Sequence, residues 1–399
     1  MRSVTVVGAS LAGLSTVRAL RERGFDGRVV VVGDEPHLPY DRPPLSKGFL
    51  TGAVHADELA LLAEQDDALD VEWRLGVPAA GLDPASRTVT RADGGQVGAD
   101  AVVLATGSRA RRLPGTDGLA GVHVLRTLDD AIALRDALVA GGPLVVVGAG
   151  FIGGEVASSA RSLGVAVTVV EAQDTPLCAQ LGDAMGAVVA RLHAEHGVQL
   201  RTGVGVARLV GAGRVEAVEL ADGTVLPAAT VVVGIGAQPN VEWLADSGLD
   251  VAGGVRTDAA CATAAPGVVA VGDCARSFDV HLGRHVRAEH WTHALQQPAT
   301  AAATLLGSPA PYTGVPYFWS EQYGLQVQLA GSPAEGDDVG VVHGSLDDLS
   351  FVVTYTRDGQ LVAVLGVGAG GPFARWRRTL RTAAAARLAD SPALTTLAG

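Results

Sequence analysis

Leu144-Val145-Val146-Val147-Gly148-Ala149-Gly150-Phe151-Ile152-Gly153 is the stretch that decides how this chain folds. Four apolar residues read as a buried strand, a glycine turn follows, and a helix pattern runs from Glu155 to Leu163. A further strand, Val165 to Val170, ends in Glu171. The three glycines do different things. Gly148 makes the tight turn, Gly150 lets backbone N–H groups approach a pyrophosphate, and Gly153 packs helix on strand. A glutamate at position 171 accepts from both ribose hydroxyls and repels a 2′-phosphate, and no arginine directly follows it. The pattern therefore specifies a dinucleotide site that favours NAD over NADP.

Outward from this unit the same order occurs earlier in the chain. Val4 to Val7 reads as a strand, Gly8-Ala9-Ser10-Leu11-Ala12-Gly13 as its turn, Leu14-Val17-Leu20 as a helix face, and Arg28 to Val32 as a second strand. Ser10 stands where the middle glycine belongs, so its Cβ pushes a pyrophosphate outward or demands a wider turn. Asp34 is the candidate ribose acid, with Glu35 as the alternative and a turn-capping role as the plain reading of Asp34. Pro39-Tyr40-Asp41-Arg42-Pro43-Pro44-Leu45-Ser46-Lys47 is too proline-rich for a helix or central strand and reads as an ordered loop. Hairpin-like segments occupy Val71 to Asp93. Ala101 to Gly107 and Val231 to Gly236 each read as a buried strand ending in a glycine turn, and Val268 to Val271 with Gly272-Asp273-Cys274 reads as a return to the first unit. From Pro311 the texture becomes aromatic, with alternating strands such as Gln326 to Leu329. Residues 1–110 with 236–310, 111–235, and 311–399 are thus expected to form three domains, the first two Rossmann-like and the last α+β.

The composition agrees with this α/β class. Charged residues are 18% of the 399, and Gly, Ala and Val abound, as buried parallel strands with close-packed helices require. A formal charge of -12 argues against a general nucleic-acid binder. The three cysteines, Cys178, Cys261 and Cys274, contain no C-x-x-C pair, which fits a reducing cytoplasmic setting. No signal peptide is evident at the N-terminus, and no apolar run is long enough to span a bilayer.

Taken together, the first fingerprint, the proline-lysine loop, Ala105-Thr106-Gly107, the second fingerprint with Glu155, Val233 to Gly236, Gly272-Asp273-Cys274-Ala275 and Phe318-Trp319-Ser320 resemble the FAD-dependent, NADH-dependent ferredoxin reductases of cytochrome P450 and ring-hydroxylating dioxygenase systems. The likeness covers nearly the whole chain in the same order. It implies a glutathione-reductase-like fold, with FAD on the first unit and NAD on the second. By position it implies FAD contacts from Arg42 and Lys47, the lysine lying near flavin N5, where a cation favours the reduced flavin. Glu155 would lie near the nicotinamide and pair with Lys47. Arg126 would hold an FAD phosphate, Asp273 the ribityl chain, and Trp291 and Trp319 would line the flavin. Gly8, Ser10, Ala12, Gly13, Ala79, Thr106, Gly107, Ile152 and Gly236 are further implied cofactor contacts. The plain alternatives are a solvated loop cation for Lys47, a first-turn helix acid for Glu155, an ordinary salt bridge for Arg126, and aromatic core for the two tryptophans.

Absences carry weight as well. Disulfide reductases of related fold carry cysteines after the first unit or in the NAD domain, whereas here Pro43 to Lys47 holds no thiol, so electrons must leave to an external acceptor. The resemblance names that acceptor as a [2Fe-2S] ferredoxin. Alternatives are an NADH oxidase or rubredoxin-type reductase, and a flavin- and NAD-binding interaction protein of the apoptosis-inducing-factor kind. His193/His196 and His281/His285 have helical spacing without carboxylate or thiol companions and read as surface histidines, not a metal site. Arg375, Arg377, Arg378, Arg381 and Arg387 stand against one acid, Asp390, in the last stretch. A helix would place Arg377 and Arg381 on one face with Arg378 beside it, a candidate surface for an acidic ferredoxin.

Overall fold

The computed structural model describes residues 1–116 and 118–389; Asp390 lies outside the described residues. Two five-stranded parallel sheets carry the nucleotide-type turns. In the first, the order is Val268–Ala270, Ala101–Leu104, Ser3–Val7, Arg28–Val32, Val71–Arg74. In the second it is Gln199–Arg201, Val167–Val170, Leu144–Val147, Thr230–Val233, Val122–His123. Both central strands are buried on their two faces, which is why they read as valine runs without alternation.

Ser3–Val7 and Leu144–Val147 are also the strands at which connection order reverses, so a crevice opens beyond their carboxyl ends. The Leu11–Glu22 helix packs on the Trp291–Leu305 helix through Ala12, Leu14, Val17, Ala301 and Ala302, which brings the chain's late return segment onto the first turn. The C-terminal sheet is antiparallel, ordered Tyr317–Gln322, Leu325–Gly331, Gln360–Val367, Ser350–Arg357, Asp338–Ser345. The Gly370–Ala389 helix covers one of its faces through Phe373, Leu380 and Ala384.

Four expectations need correction. Val71–Arg74 is no hairpin arm: Val71 registers beside Val29 in a parallel edge pair, and only Ala79–Asp83, Thr88–Arg91 and Gln96–Gly98 form an antiparallel meander. The helix after the second turn starts at Phe151, because extended Gly150 (φ -74°, ψ -177°) already serves as its N-cap. Glu155 is consequently not a first-turn acid. His193 is buried at 3% exposure, its ring held by Tyr323, and His281 lies in a turn while His285 is on the Arg284–Val286 strand.

Candidate active site

Both glycine turns are forced by close backbone approach. Gly8 and Gly148 sit at φ +123° and +102°, and a Cβ would fall 2.0 Å from the Ala105 carbonyl oxygen or 2.4 Å from that of Gly234. Gly13 and Gly153 lie over the Gly8 and Gly148 carbonyls, where a Cβ would come within 1.9 and 2.1 Å. Gly150 differs, since nothing lies within 4 Å of its missing Cβ. The following helices, Leu11–Glu22 and Phe151–Ser162, have neither a side-chain cap nor a first-turn acid. By contrast, the Leu128–Ala140 helix is closed by Thr127 with Asp129 and Asp130 in its first turn. Uncapped first-turn N–H groups at both turns, with open space beside them at the second, fit the phosphates of two dinucleotides. Ser10 occupies the place of Gly150 at φ -122°, without backbone strain, and its hydroxyl accepts from Arg42 Nε at 3.3 Å.

The acids at the strand ends behave unequally. Glu171 is fixed at the second turn, where its carboxylate accepts from the Ala149 and Gln173 amides at 2.8 and 2.9 Å. Ile152, 46% exposed, forms an apolar ledge beside that turn. At the first turn Asp34 is exposed and accepts only the Glu35 amide among the described contacts, at 3.0 Å. Glu35 is bound to Arg42 at 2.6 Å and to the Tyr40 hydroxyl at 2.5 Å.

Around the first turn the implied residues converge. Arg42 also donates to the Arg126 backbone carbonyl at 2.8 Å, and the Arg126 side chain pairs with Asp273 at 2.7 Å. Ser108 donates to Asp273 at 3.1 Å. Thr106 and Asn240 clasp each other through backbone carbonyls at 2.7 and 3.0 Å, with Gly107 following at φ +67°. Gly236, at φ +98°, accepts from the Arg111 amide at 2.9 Å in the connection between the units. Ala12 packs under Gly272, and Ala79 packs against the cluster containing Val7 and Leu104. Trp291 donates to Asp41 at 2.7 Å and meets Trp319 edge to face at 5.8 Å. Burial raises the Asp41 carboxyl, opposed by the Trp291 N–H and the Lys47 charge.

Lys47 and Glu155, 108 positions apart, form an ion pair at 2.7 Å with Glu155 only 2% exposed. A buried pair persists only when its remaining lone pairs and protons are also satisfied. Here Ser46 donates to Glu155 Oε2 at 2.5 Å, Ser320 to Oε1 at 2.7 Å, and Lys47 donates further to the Pro43 carbonyl at 3.0 Å. The helix that carries the second turn is thereby tied to the loop that borders the first. Ser46, Ser108, Asn240, Ser320 and Gln322 had no role assigned from sequence. Ser46 and Ser320 adjoin singled-out residues, but only the tertiary contacts show their use. Among the described residues no group of three or more His, Cys, Asp or Glu is placed to hold a metal ion.

Residues 2–298 match the family model described as pyridine nucleotide-disulphide oxidoreductase, and residues 317–395 the one described as reductase C-terminal. The chain is 40% identical to the ferredoxin reductase component of chlorobenzene dioxygenase from Cupriavidus sp. (strain PS12), covering 97% of this chain and 95% of that one. It is 39% identical to rhodocoxin reductase of Rhodococcus erythropolis, over 95% and 90% of the two chains. The crystal structure of the covalent putidaredoxin reductase-putidaredoxin complex superposes with a TM-score of 0.91 at 34% identity, over 96% and 93%. The chain belongs to the pyridine nucleotide-disulphide oxidoreductase family, in its branch of FAD- and NADH-dependent ferredoxin reductases.

Proposed function

We infer that this enzyme takes electrons in pairs from NADH through FAD and delivers them singly to a [2Fe-2S] ferredoxin that serves a cytochrome P450 or a ring-hydroxylating dioxygenase. The observation that carries the reading is the buried Lys47–Glu155 pair, which joins the flavin-side loop to the nicotinamide-side helix. FAD would lie on residues 1–110 and 236–310, held by the first turn, Arg42, Arg126 and Asp273. NADH would lie on 111–235, held by the second turn and Glu171. When bound, the flavin supplies the conversion between two-electron and one-electron chemistry. The protein's own part is placement: Glu155 fixes the Lys47 ammonium, which would face the flavin's reacting edge, and Trp291 and Trp319 would wall the site.

Electron exit to a separate protein is supported by the thiols. Cys261 and Cys274 are buried, which pushes both thiols up, and none of the three free cysteines lies in the Pro43–Lys47 loop. A cytoplasmic location belongs to the same reading, supported by those free thiols; among the described residues no helix is long and apolar enough to cross a membrane. The docking surface would be the exposed side of the Gly370–Ala389 helix, bearing Arg375, Arg378 and Arg381. Arg377 is set differently, with its guanidinium 3.6 Å over the Tyr317 ring.

Stopped-flow reduction by NADH and NADPH, followed by reoxidation with a panel of ferredoxins, tests the reading. Fast reduction by NADH and reoxidation that depends on a [2Fe-2S] ferredoxin are expected. A large NADPH preference, or reoxidation indifferent to every ferredoxin, would overturn it.

A further inference from the structure

The Lys47–Glu155 pair is held from a third side that the nucleotide-binding units do not supply. Tyr317–Gln322, an edge strand of the C-terminal sheet, lies along the Phe151–Ser162 helix. Ser320, fully buried, gives its hydroxyl proton to Glu155 Oε1 at 2.7 Å. Gln322, 2% exposed, donates in turn to Ser320 Oγ at 3.1 Å and so orients that hydroxyl. The Gln322 amide can lie there only because residue 154 is glycine: a Cβ would fall 2.5 Å from Gln322 Oε1. One residue further, the Tyr323 amide donates to Ser158 at 2.7 Å, and its hydroxyl meets His193 Nδ1 at 2.8 Å. Ser159, on the same helix, donates to the Ser46 carbonyl at 2.7 Å.

We propose that Ser320, backed by Gln322 on the floor left by Gly154, is a positioning residue for the reductive half-reaction, orienting Glu155 so that its other oxygen faces Lys47. The chemistry allows little slack. A carboxylate with 2% exposure must have both oxygens satisfied, and with Ser46 and Lys47 on Oε2, Ser320 is the donor that stops rotation about the carboxylate axis. The C-terminal sheet therefore takes part in placing the Lys47 ammonium that would border the flavin, in addition to any part in meeting the electron acceptor. The inference rests on the reductase reading given above.

The test is a double-mutant cycle of Ser320→Ala and Glu155→Gln, read on NADH reduction of the flavin by stopped flow and on the flavin midpoint potential. Loss of one hydrogen bond to a charged group should slow reduction roughly tenfold or more in Ser320→Ala. The midpoint potential should shift, Ser320→Thr should restore both, and Ser320→Ala should add little in the Glu155→Gln background. Wild-type rate and potential in Ser320→Ala, or an equal loss with Glu155 already replaced, would overturn the proposal. Gln322→Leu is a second, milder probe should Ser320→Ala fold poorly, and it should show a smaller loss of the same kind. The same cycle measured by urea unfolding reports the Ser320–Glu155 coupling without flavin or NADH. Additive stabilities there would overturn the coupling itself, whereas intact coupling in a protein that NADH does not reduce would fail the reductase reading instead.

Discussion

Glu171 takes two backbone amides at the second turn, so its charge is held where the ribose hydroxyls would lie, and it meets a 2′-phosphate with direct repulsion. Glu171→Ala should narrow the preference for NADH over NADPH by roughly tenfold, about the worth of one charge-assisted contact, as read from kcat/KM with each nucleotide. Unchanged preference would remove Glu171 from the specificity site. At this scale the sequence was legible wherever a residue's job is local. Gly13 and Gly153 were readable because each lies against the carbonyl of its own turn's first glycine, whereas Gly8 and Gly148, readable from the motif spacing, meet the distant Ala105 and Gly234 carbonyls that only the sheet brings near. Asp34 and Glu35 were not separable, because adjacent acids at a strand end differ only in which one Arg42 captures from the following loop.

Among the elements, the Phe151–Ser162 helix depends on Gly153 lying against the Gly148 carbonyl. Gly153→Ala should lift that helix from its strand, costing about 1–3 kcal/mol in urea unfolding and weakening NADH binding more than FAD retention. Equal stability with unchanged NADH affinity would contradict the close packing. The Gly370–Ala389 helix shows the limit of reading a helical wheel without its partner. Arg377 and Arg381 were expected to share an outward face, yet Phe373, Leu380 and Ala384 define the buried stripe, and Arg377 falls beside it on Tyr317. Burial and the neighbouring Arg381 charge hold Arg377 below the usual arginine range. The exposed arginines are Arg375, Arg378 and Arg381. Reversing Arg375 and Arg378 to glutamate should raise the apparent KM for ferredoxin several-fold, roughly the worth of rim charges, while leaving ferricyanide reduction unchanged. The effect should shrink as salt rises. A KM that does not move places docking elsewhere.

For the molecule as a whole, two histidines, buried His193 and half-buried His293, link stability to pH. Burial lowers His193 and His293 from 6.5 to about 4, with a nearby histidine adding to the drop in each case. A group whose folded pKa is depressed binds more protons when unfolded. Its contribution is therefore complete above the ordinary histidine pKa and is lost as pH falls toward the folded value. Unfolding free energy should accordingly decline between about pH 6.5 and 4, by up to about 1.4 kcal/mol per pH unit for each histidine. His193→Asn should flatten the slope, checked by urea denaturation across that window. A slope unaffected by both His193→Asn and His293→Asn would show that neither ring stays neutral on folding.

What the sequence determined by itself was the pair of parallel-sheet units, their order and their two glycine turns. The strand–turn–helix order is written within one short stretch of chain each time, and buried parallel strands announce themselves as apolar runs. The absence of a thiol beside Lys47 was equally plain. Only the tertiary structure decided how Glu155 is held, since its donors come from positions 46, 47 and 320, on two other segments of the chain. It likewise decided that Val71–Arg74 joins a parallel sheet and that His193 is buried under Tyr323. The physical reason is the same in each case: hydrogen bonding and burial between distant segments depend on how separately formed units dock, and no spacing within one segment records that docking.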